Sequence, residues 1–239
     1  MKIIIIAGGL GTRIAEETED KPKPMVLIND KPIIWHLMNI FCVQGFNEFI
    51  ISTGYKSEVI ENWIKNNKIK DSDNNPIDIK TINTGLNTQT GGRISEVMKT
   101  LPGDRVIATY GDGLANIPIK KLLAFHNSHG KLATVTAVRP PARFGYMKIK
   151  KNEVTHFGEK NQSDEGWING GFFVLEPKVA DYVEAISEPF ESGALIRLAN
   201  ESQLMAYHHE GFWQPMDTLR EKRALEEFAR LIVPPWLEN

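Results

Sequence analysis

One cysteine, Cys42, stands in 239 residues. A single thiol excludes an internal disulfide and any zinc site built from cysteines. Neither charge sign dominates: 28 basic and 30 acidic side chains leave a formal net charge of −2. A chain made mainly to coat nucleic acid is thereby excluded, while a local basic pocket remains open. No apolar run approaches the ~20 residues of a membrane span. The run Ile3-Ile4-Ile5-Ile6-Ala7 stops at Gly8-Gly9, short of the ~7–15 apolar residues of a secretory core. With one thiol and no export signal, the expected location is the cytoplasm. The histidines show neither H-x-x-x-H nor H-E-x-x-H spacing, and no G-x-S-x-G elbow occurs. Both a histidine metal site and a serine-hydrolase nucleophile are disfavoured. Internal repeats and flexible linkers are also missing. What is there is ample core material, 41% hydrophobic residues, which argues against disorder.

The β-branched run at residues 3–7 has no polar alternation, the mark of a strand buried on both faces. Helices are expected at 32–44, with Ile33, Leu37, Ile40 and Phe41 on one face, and at 57–65, with Ser57 as N-cap. A strand lies between them at 48–53. This order indicates a parallel sheet with right-handed crossovers. Further strands are expected at 106–110 and 132–138, and helices at 94–99 and 120–128. Short strands at 146–150, 153–157, 170–175 and 203–208 suggest a mixed sheet, before a terminal helix at 219–231. The Lys21-Pro22-Lys23-Pro24-Met25 stretch reads as extended, since alternating prolines oppose a regular helix. The Asn/Asp-rich residues 66–87 read as a surface excursion. The apolar tail at 233–237 is expected to dock on the body or on a neighbour. The whole chain, 1–239, reads as a single α/β domain: a Rossmann-like, mostly parallel mixed sheet flanked by helices (roughly 1–138), a smaller mixed-β lobe (roughly 139–218) and the C-terminal helix.

The strongest local signal is Gly8-Gly9-Leu10-Gly11-Thr12-Arg13, directly after the first strand. Glycines there let backbone N–H groups approach an anion, Thr12 adds a hydroxyl, and Arg13 can grip phosphate oxygens in pairs. It is neither a Walker A loop nor the full dinucleotide fingerprint, whose third glycine position holds Ile14. Lys23, between two prolines, could hold an ammonium near polyphosphate. Thr90-Gly91-Gly92-Arg93 repeats the combination of small residues, hydroxyl and guanidinium. Gly111-Asp112-Gly113 follows an apolar strand, where ligands of open α/β sheets collect, and Asp112 could hold Mg²⁺. Asp217 offers a second carboxylate. Glu159-Lys160 and Asn169-Gly170-Gly171 could grip a phosphorylated polyol. Each has a plainer reading: a tight turn, a solvated lysine, a β-turn aspartate, a hairpin, and for Asp217 the N-cap of the last helix.

The order of these motifs is more specific than any one of them. Ala7–Arg13 followed by Lys21-Pro22-Lys23-Pro24-Met25 resembles the signature of sugar-phosphate nucleotidyltransferases. Adding Thr90-Gly91-Gly92-Arg93, Tyr110-Gly111-Asp112-Gly113, Arg143-Phe144-Gly145, Asn169-Gly170-Gly171-Phe172-Phe173-Val174 and the stretch from Gly211 to Thr218, nearly the whole chain is similar to the glucose-1-phosphate cytidylyltransferase family. The resemblance implies the nucleotide-diphospho-sugar transferase fold and transfer of CMP from CTP to a sugar 1-phosphate, glucose 1-phosphate first. It implies nucleotide binding by Ala7, Gly8, Gly9, Gly11, Thr12, Arg13, Lys23, Thr90, Arg93 and Gly111, with Arg13, Lys23 and Asp112 catalytic. It implies Mg²⁺ on Asp112 and Asp217, and the sugar phosphate on Glu159, Lys160, Asn169 and Gly170. The implied partners are CTP and the sugar phosphate, with no nucleic acid or membrane, in a homo-oligomer. The chain departs from the family pattern at Glu191-Ser192-Gly193-Ala194-Leu195 and at Glu159-Lys160-Asn161, and residues 66–87 are shorter. The same chemistry on another phosphorylated sugar or polyol, or with another nucleotide, fits the same motifs. So does a nucleotide-sugar-binding regulatory module without catalysis, although such a module has no need of the Asp112 and Asp217 pair. Ile14 disfavours a nicotinamide dehydrogenase.

Overall fold

The computed structural model describes residues 1–71, 73–140, 145–159 and 166–238, with 145–149 and 156–159 as backbone alone. Strand β1 is Lys2–Ile6. Ile3 and Ile5 enter one core cluster and Ile4 and Ile6 the other, because successive strand side chains point to opposite faces. After the short helix α1 (Ala15–Thr18) come the two-residue strands β2 (Leu27–Ile28) and β3 (Lys31–Pro32), then helix α2 (Ile33–Cys42). Pro32 is the N-cap of α2, one position outside the helix. Strand β4 (Glu48–Thr53), helix α3 (Ser57–Asn66), strand β5 (Asp78–Asn83) and helix α4 (Thr90–Lys99) follow. Lys56, in a left-handed conformation, replaces Ser57 as the N-cap of α3.

Strand β6 (Val106–Tyr110), the short β7 (Gly113–Ala115), helix α5 (Ile119–His129) and strand β8 (Ala133–Val138) lead to the hairpin of β9 (Gly145–Lys150) and β10 (Glu153–Glu159). Strand β11 (Ile168–Leu175), helix α6 (Ala194–Asn200), strands β12 (Leu204–His209) and β13 (Trp213–Pro215) and helix α7 (Leu219–Phe228) complete the order. The main sheet has the order β12-β8-β11-β6-β1-β4-β5. Strands β1, β4, β5 and β6 run parallel, β8 and β12 share their direction, and β11 runs against both its neighbours. The start of β11 therefore lies at the same sheet edge as the carboxyl ends of β1, β6 and β8.

Three further expectations are corrected. Residues 66–87 contain β5, an edge strand of the sheet. Its polar composition reflects its place at the sheet edge, with Asp78, Lys80 and Asn83 exposed, and a charged edge resists further pairing. The Lys21–Met25 stretch is not wholly extended: Lys23–Met25 forms a 3₁₀ turn, which Pro24 permits near its start, where no N–H is required. The terminal helix ends at Phe228. The tail docks on the body through Trp236, which is buried against His36 and Phe212, while Ile232 and Val233 are exposed. Among the described residues, no helix is long and apolar enough to cross a membrane.

Candidate functional site

The carboxyl ends of β1 and β6 meet the start of β11 around a cleft of about 780 Å³, within the usual range for a small-molecule site. One wall is the glycine-rich loop. Gly11 has φ +66°, the left-handed region that favours glycine. This lets the chain turn into the 3₁₀ turn Thr12–Ile14, where Thr12 and Arg13 are exposed. Opposite, Gly111 donates its N–H to the Ile6 carbonyl at 3.0 Å. A Cβ there would lie 2.8 Å from that carbonyl oxygen and 2.9 Å from Pro24, so only glycine lets the Lys23 turn come this close.

The centre of the site is a cation between two carboxylates. The Lys23 ammonium donates to Asp112 Oδ2 at 2.6 Å and to Asp217 Oδ1 at 2.7 Å. Arg13 Nη1 donates to the other Asp217 oxygen at 2.6 Å. Lys23 is buried. Burial disfavours its charge, but the charges and hydrogen bonds of Asp112 and Asp217 outweigh this and hold the ammonium above its ordinary range. Backbone pairing brings the two aspartates together. Strands β7 and β13 pair antiparallel, Gly113 opposite Pro215, and Met216 N–H donates to the Asp112 carbonyl at 2.8 Å. Asp217 does not cap the last helix. Thr218 does, in a reciprocal capping box with Glu221. The Glu221 carboxylate also accepts from the Asp217 N–H at 2.7 Å, so the Asp217 backbone is held while its side chain reaches Lys23 and Arg13.

The far wall joins the expected Thr90, Asn169 and Gly170 to three groups given no role in the sequence analysis, Tyr110, Glu191 and Trp213. Tyr110 donates its hydroxyl to Glu191 Oε1. Thr90 donates to Glu191 Oε2 at 2.8 Å and accepts from Phe190 N–H at 2.8 Å. Asn169 Nδ2 approaches the Tyr110 hydroxyl at 3.4 Å. Burial first, then the Glu191 charge, keeps the Tyr110 phenol protonated well above its usual range. Trp213 Nε1 donates to the Gly170 carbonyl at 2.8 Å. In the sequence Glu191 stands out only as the start of a stretch that departs from the family pattern; its pairing with Tyr110 and Thr90 arises where the segment before α6 meets the end of β6.

Of the residues singled out in the sequence, Ala7, Gly9, Gly11, Thr12, Arg13, Lys23, Thr90, Arg93, Gly111, Asp112, Asn169, Gly170 and Asp217 line this one cleft. Gly8, the first residue of the loop, is buried. Arg93 is buried, and its guanidinium is occupied by backbone carbonyls and Thr84. Lys160, Asn161, Arg143 and Phe144 lie outside the described residues, and Glu159 is described as backbone alone, paired with Gly145. Cys42 takes no part: burial, with a smaller push from Asp71, raises its thiol to about 12.

The donor set suits a hard cation. Carboxylate oxygens converge on a point already taken by an ammonium, and Mg²⁺ commonly uses one or two carboxylates together with substrate phosphates. Among the described residues, no cluster of three or more His, Cys, Asp or Glu offers an all-protein metal cage.

The family model described as Nucleotidyl transferase matches residues 2–218. The chain is 44% identical over 253 residues to the glucose-1-phosphate cytidylyltransferase of Salmonella typhimurium, covering 99% of this chain and 98% of that one. The Salmonella typhi protein of the same name matches with the same identity and coverage. Among solved structures, HddC from Yersinia pseudotuberculosis complexed with GMP-PN superposes with a TM-score of 0.71 at 26% identity, over 95% of this chain and 98% of that one. The fold is that of the nucleotide-diphospho-sugar transferases.

Proposed function

We propose a specific reaction for this chain, which belongs to the nucleotidyl transferase family: CTP and α-D-glucose 1-phosphate give CDP-glucose and pyrophosphate. The observation that carries the chemistry is the junction of Lys23, Arg13, Asp112 and Asp217 at the carboxyl edge of the sheet. The 44% identity to curated glucose-1-phosphate cytidylyltransferases carries the choice of substrates.

A phosphate oxygen of the sugar phosphate forms a bond to the α-phosphorus of CTP. The bond from that phosphorus to the bridging oxygen breaks, and its electron pair leaves with pyrophosphate. Both reactants are anions, so screening and alignment carry the catalysis, and no covalent enzyme intermediate is needed. The acceptor phosphate is already ionised near neutral pH, so no general base is needed. The Gly8–Arg13 loop presents backbone N–H groups to the triphosphate, and Arg13 and Lys23 offset charge on the transferred and leaving groups. Thr90 and Gly111 border the nucleotide, and Arg93 acts at this end through the loop behind which it lies. Glu159, Lys160, Asn169 and Gly170 hold the sugar phosphate. Asp112 and Asp217 would hold Mg²⁺, which supplies Lewis-acid stabilisation of the phosphoryl charge.

Treating residues 1–239 as one domain is supported by the shared sheet, in which β8, β11 and β12 lie beside β6 and β1. The chain works in the cytoplasm, where the supply of CTP lies. The test is a matrix of nucleoside triphosphates against sugar 1-phosphates with Mg²⁺, read by pyrophosphate release. Turnover is expected to be greatest with CTP and glucose 1-phosphate. A folded protein that turns over no pair would refute the reaction. Turnover on a different acceptor would redirect the specificity to the Tyr110–Glu191 wall, where the sequence departs from the family pattern.

A further inference from the structure

Arg93, in the first turn of α4, is 2% exposed and has no carboxylate partner among the described residues. Its guanidinium reaches the ends of three strands instead. Nη1 donates to the Thr53 carbonyl at 2.9 Å, where β4 ends, and to Thr84 Oγ1 at 2.7 Å, just after β5. Nη2 donates to the Gly8 carbonyl at 2.9 Å, in the glycine-rich loop after β1, and to the Leu86 carbonyl at 3.5 Å. Two glycines make the room. A Cβ on Gly8 would lie 2.0 Å from Nη1, and one on Gly54 2.5 Å from it. No side chain fits at either position while the guanidinium occupies this place.

A buried charge is expensive unless paired or well hydrogen-bonded. Here carbonyl and hydroxyl oxygens satisfy the hydrogen-bonding of both terminal nitrogens but cancel no charge. A net positive charge therefore stands directly behind the loop, in surroundings of low dielectric where its field is weakly screened. A neutral side chain could tie one carbonyl, but only the planar fork of arginine ties three segments and stays charged.

We propose that Arg93 is a positioning residue: it fixes the Gly8–Arg13 loop against β4 and the β5–α4 connection, and its uncompensated charge draws the polyphosphate onto that loop without contact with the nucleoside. The inference rests on the nucleotidyl-transfer reading. Titration calorimetry of the full chain with CTP and with inorganic tripolyphosphate, each with Mg²⁺, separates the two. If wild type binds neither, the reading itself fails.

If wild type binds both, Arg93→Ala should weaken both by a similar factor, about 10- to 100-fold, the range for losing a hydrogen bond to a charged group. A nucleoside contact would instead weaken CTP alone, and that result overturns the proposal. Guanidinium ion at millimolar concentration should restore much of the loss. Urea, equally planar but neutral, should not, and equal rescue by urea would refute the role of the charge. Should Arg93→Ala fail to fold, Gly54→Ala leaves the arginine in place, but the added Cβ would lie 2.5 Å from the guanidinium and 2.7 Å from the Gly85 carbonyl oxygen, so the guanidinium and the β5–α4 connection that it ties are displaced together. It should produce the same parallel loss for CTP and tripolyphosphate. Unchanged binding in a folded variant of either kind overturns the proposal.

Discussion

Replacing Lys23 with methionine keeps the stem and removes the ammonium between Asp112 and Asp217. The two carboxylate oxygens lie 2.6 and 2.7 Å from that ammonium, so at most about 5.3 Å apart, the sum of the two bonds. Two unit charges at that separation repel by about 0.8 kcal/mol in water and about 3 kcal/mol at an effective dielectric constant of about 20. The Asp112 and Asp217 side chains are 32% and 26% exposed, and the Arg13 bond to Asp217 survives, so solvent and the remaining pair reduce the penalty to about 1–2 kcal/mol. For a chain of this size, that lowers the melting temperature by about 2–8 °C. The assay is thermal denaturation in chelator at neutral pH, repeated with millimolar Mg²⁺. Lys23→Met should melt below wild type in chelator and gain more than wild type from Mg²⁺, because the added cation occupies the place of the lost ammonium. Its turnover should fall sharply even where stability recovers. A variant that melts with wild type in chelator, and gains no more from Mg²⁺, would refute the electrostatic reasoning.

Asp112→Asn should keep its melting temperature within a few degrees yet lose on the order of 100-fold or more in turnover, the scale for one electrostatic element at a reacting centre; full pyrophosphate release would remove Asp112 from the site. Thr218→Ala breaks the capping box and should destabilise by about 1 kcal/mol. Glu221→Ala, which removes the acceptor of the Asp217 N–H, should raise the Mg²⁺ concentration needed for half-maximal rate; an unchanged melting temperature in Thr218→Ala and an unchanged Mg²⁺ requirement in Glu221→Ala would count against the cap and the anchor. Burial, first among the causes, holds His36, His126 and His209 below the ordinary histidine range. The unfolded chain therefore binds more protons than the folded one below about pH 6.5, so stability is lost as pH falls through that region. Melting temperatures at pH 7.5 and 5.5 measure this, and equal values would contradict it.

The parts of the fold legible in the sequence are those set by local rules. Four consecutive isoleucines signal a strand covered on both faces, and both core clusters accept them. The spacing of Ile33, Leu37, Ile40 and Phe41 marks α2, and the glycines of the Gly8–Arg13 loop mark a turn. Strand β5 escapes this reading because an edge strand has a polar composition. Helix α6 is short, and β7 and β13 have three residues each, too few for periodicity to register. Candidate site residues are legible as residue types, since carboxylates, guanidinium groups and glycines beside apolar strands suggest phosphate chemistry. Their partners are not. A charged Arg93 reads as a surface ligand group, and only the gaps left by Gly8 and Gly54 show it as a buried tie.

The sequence by itself determined the element types, the loop that favours an anion and the inventory of charged groups, because backbone sterics and side-chain periodicity act over a few residues. The tertiary structure alone decided which of these groups meet. Lys23 and Asp217 are 194 residues apart in the chain, and nothing local relates them. The parallel register of β1 and β6, the reversed direction of β11 and the pairing of β7 with β13 bring their side chains to one sheet edge. Long-range pairing of backbone hydrogen bonds, with a hydrophobic core cluster on each face of the sheet, set that geometry.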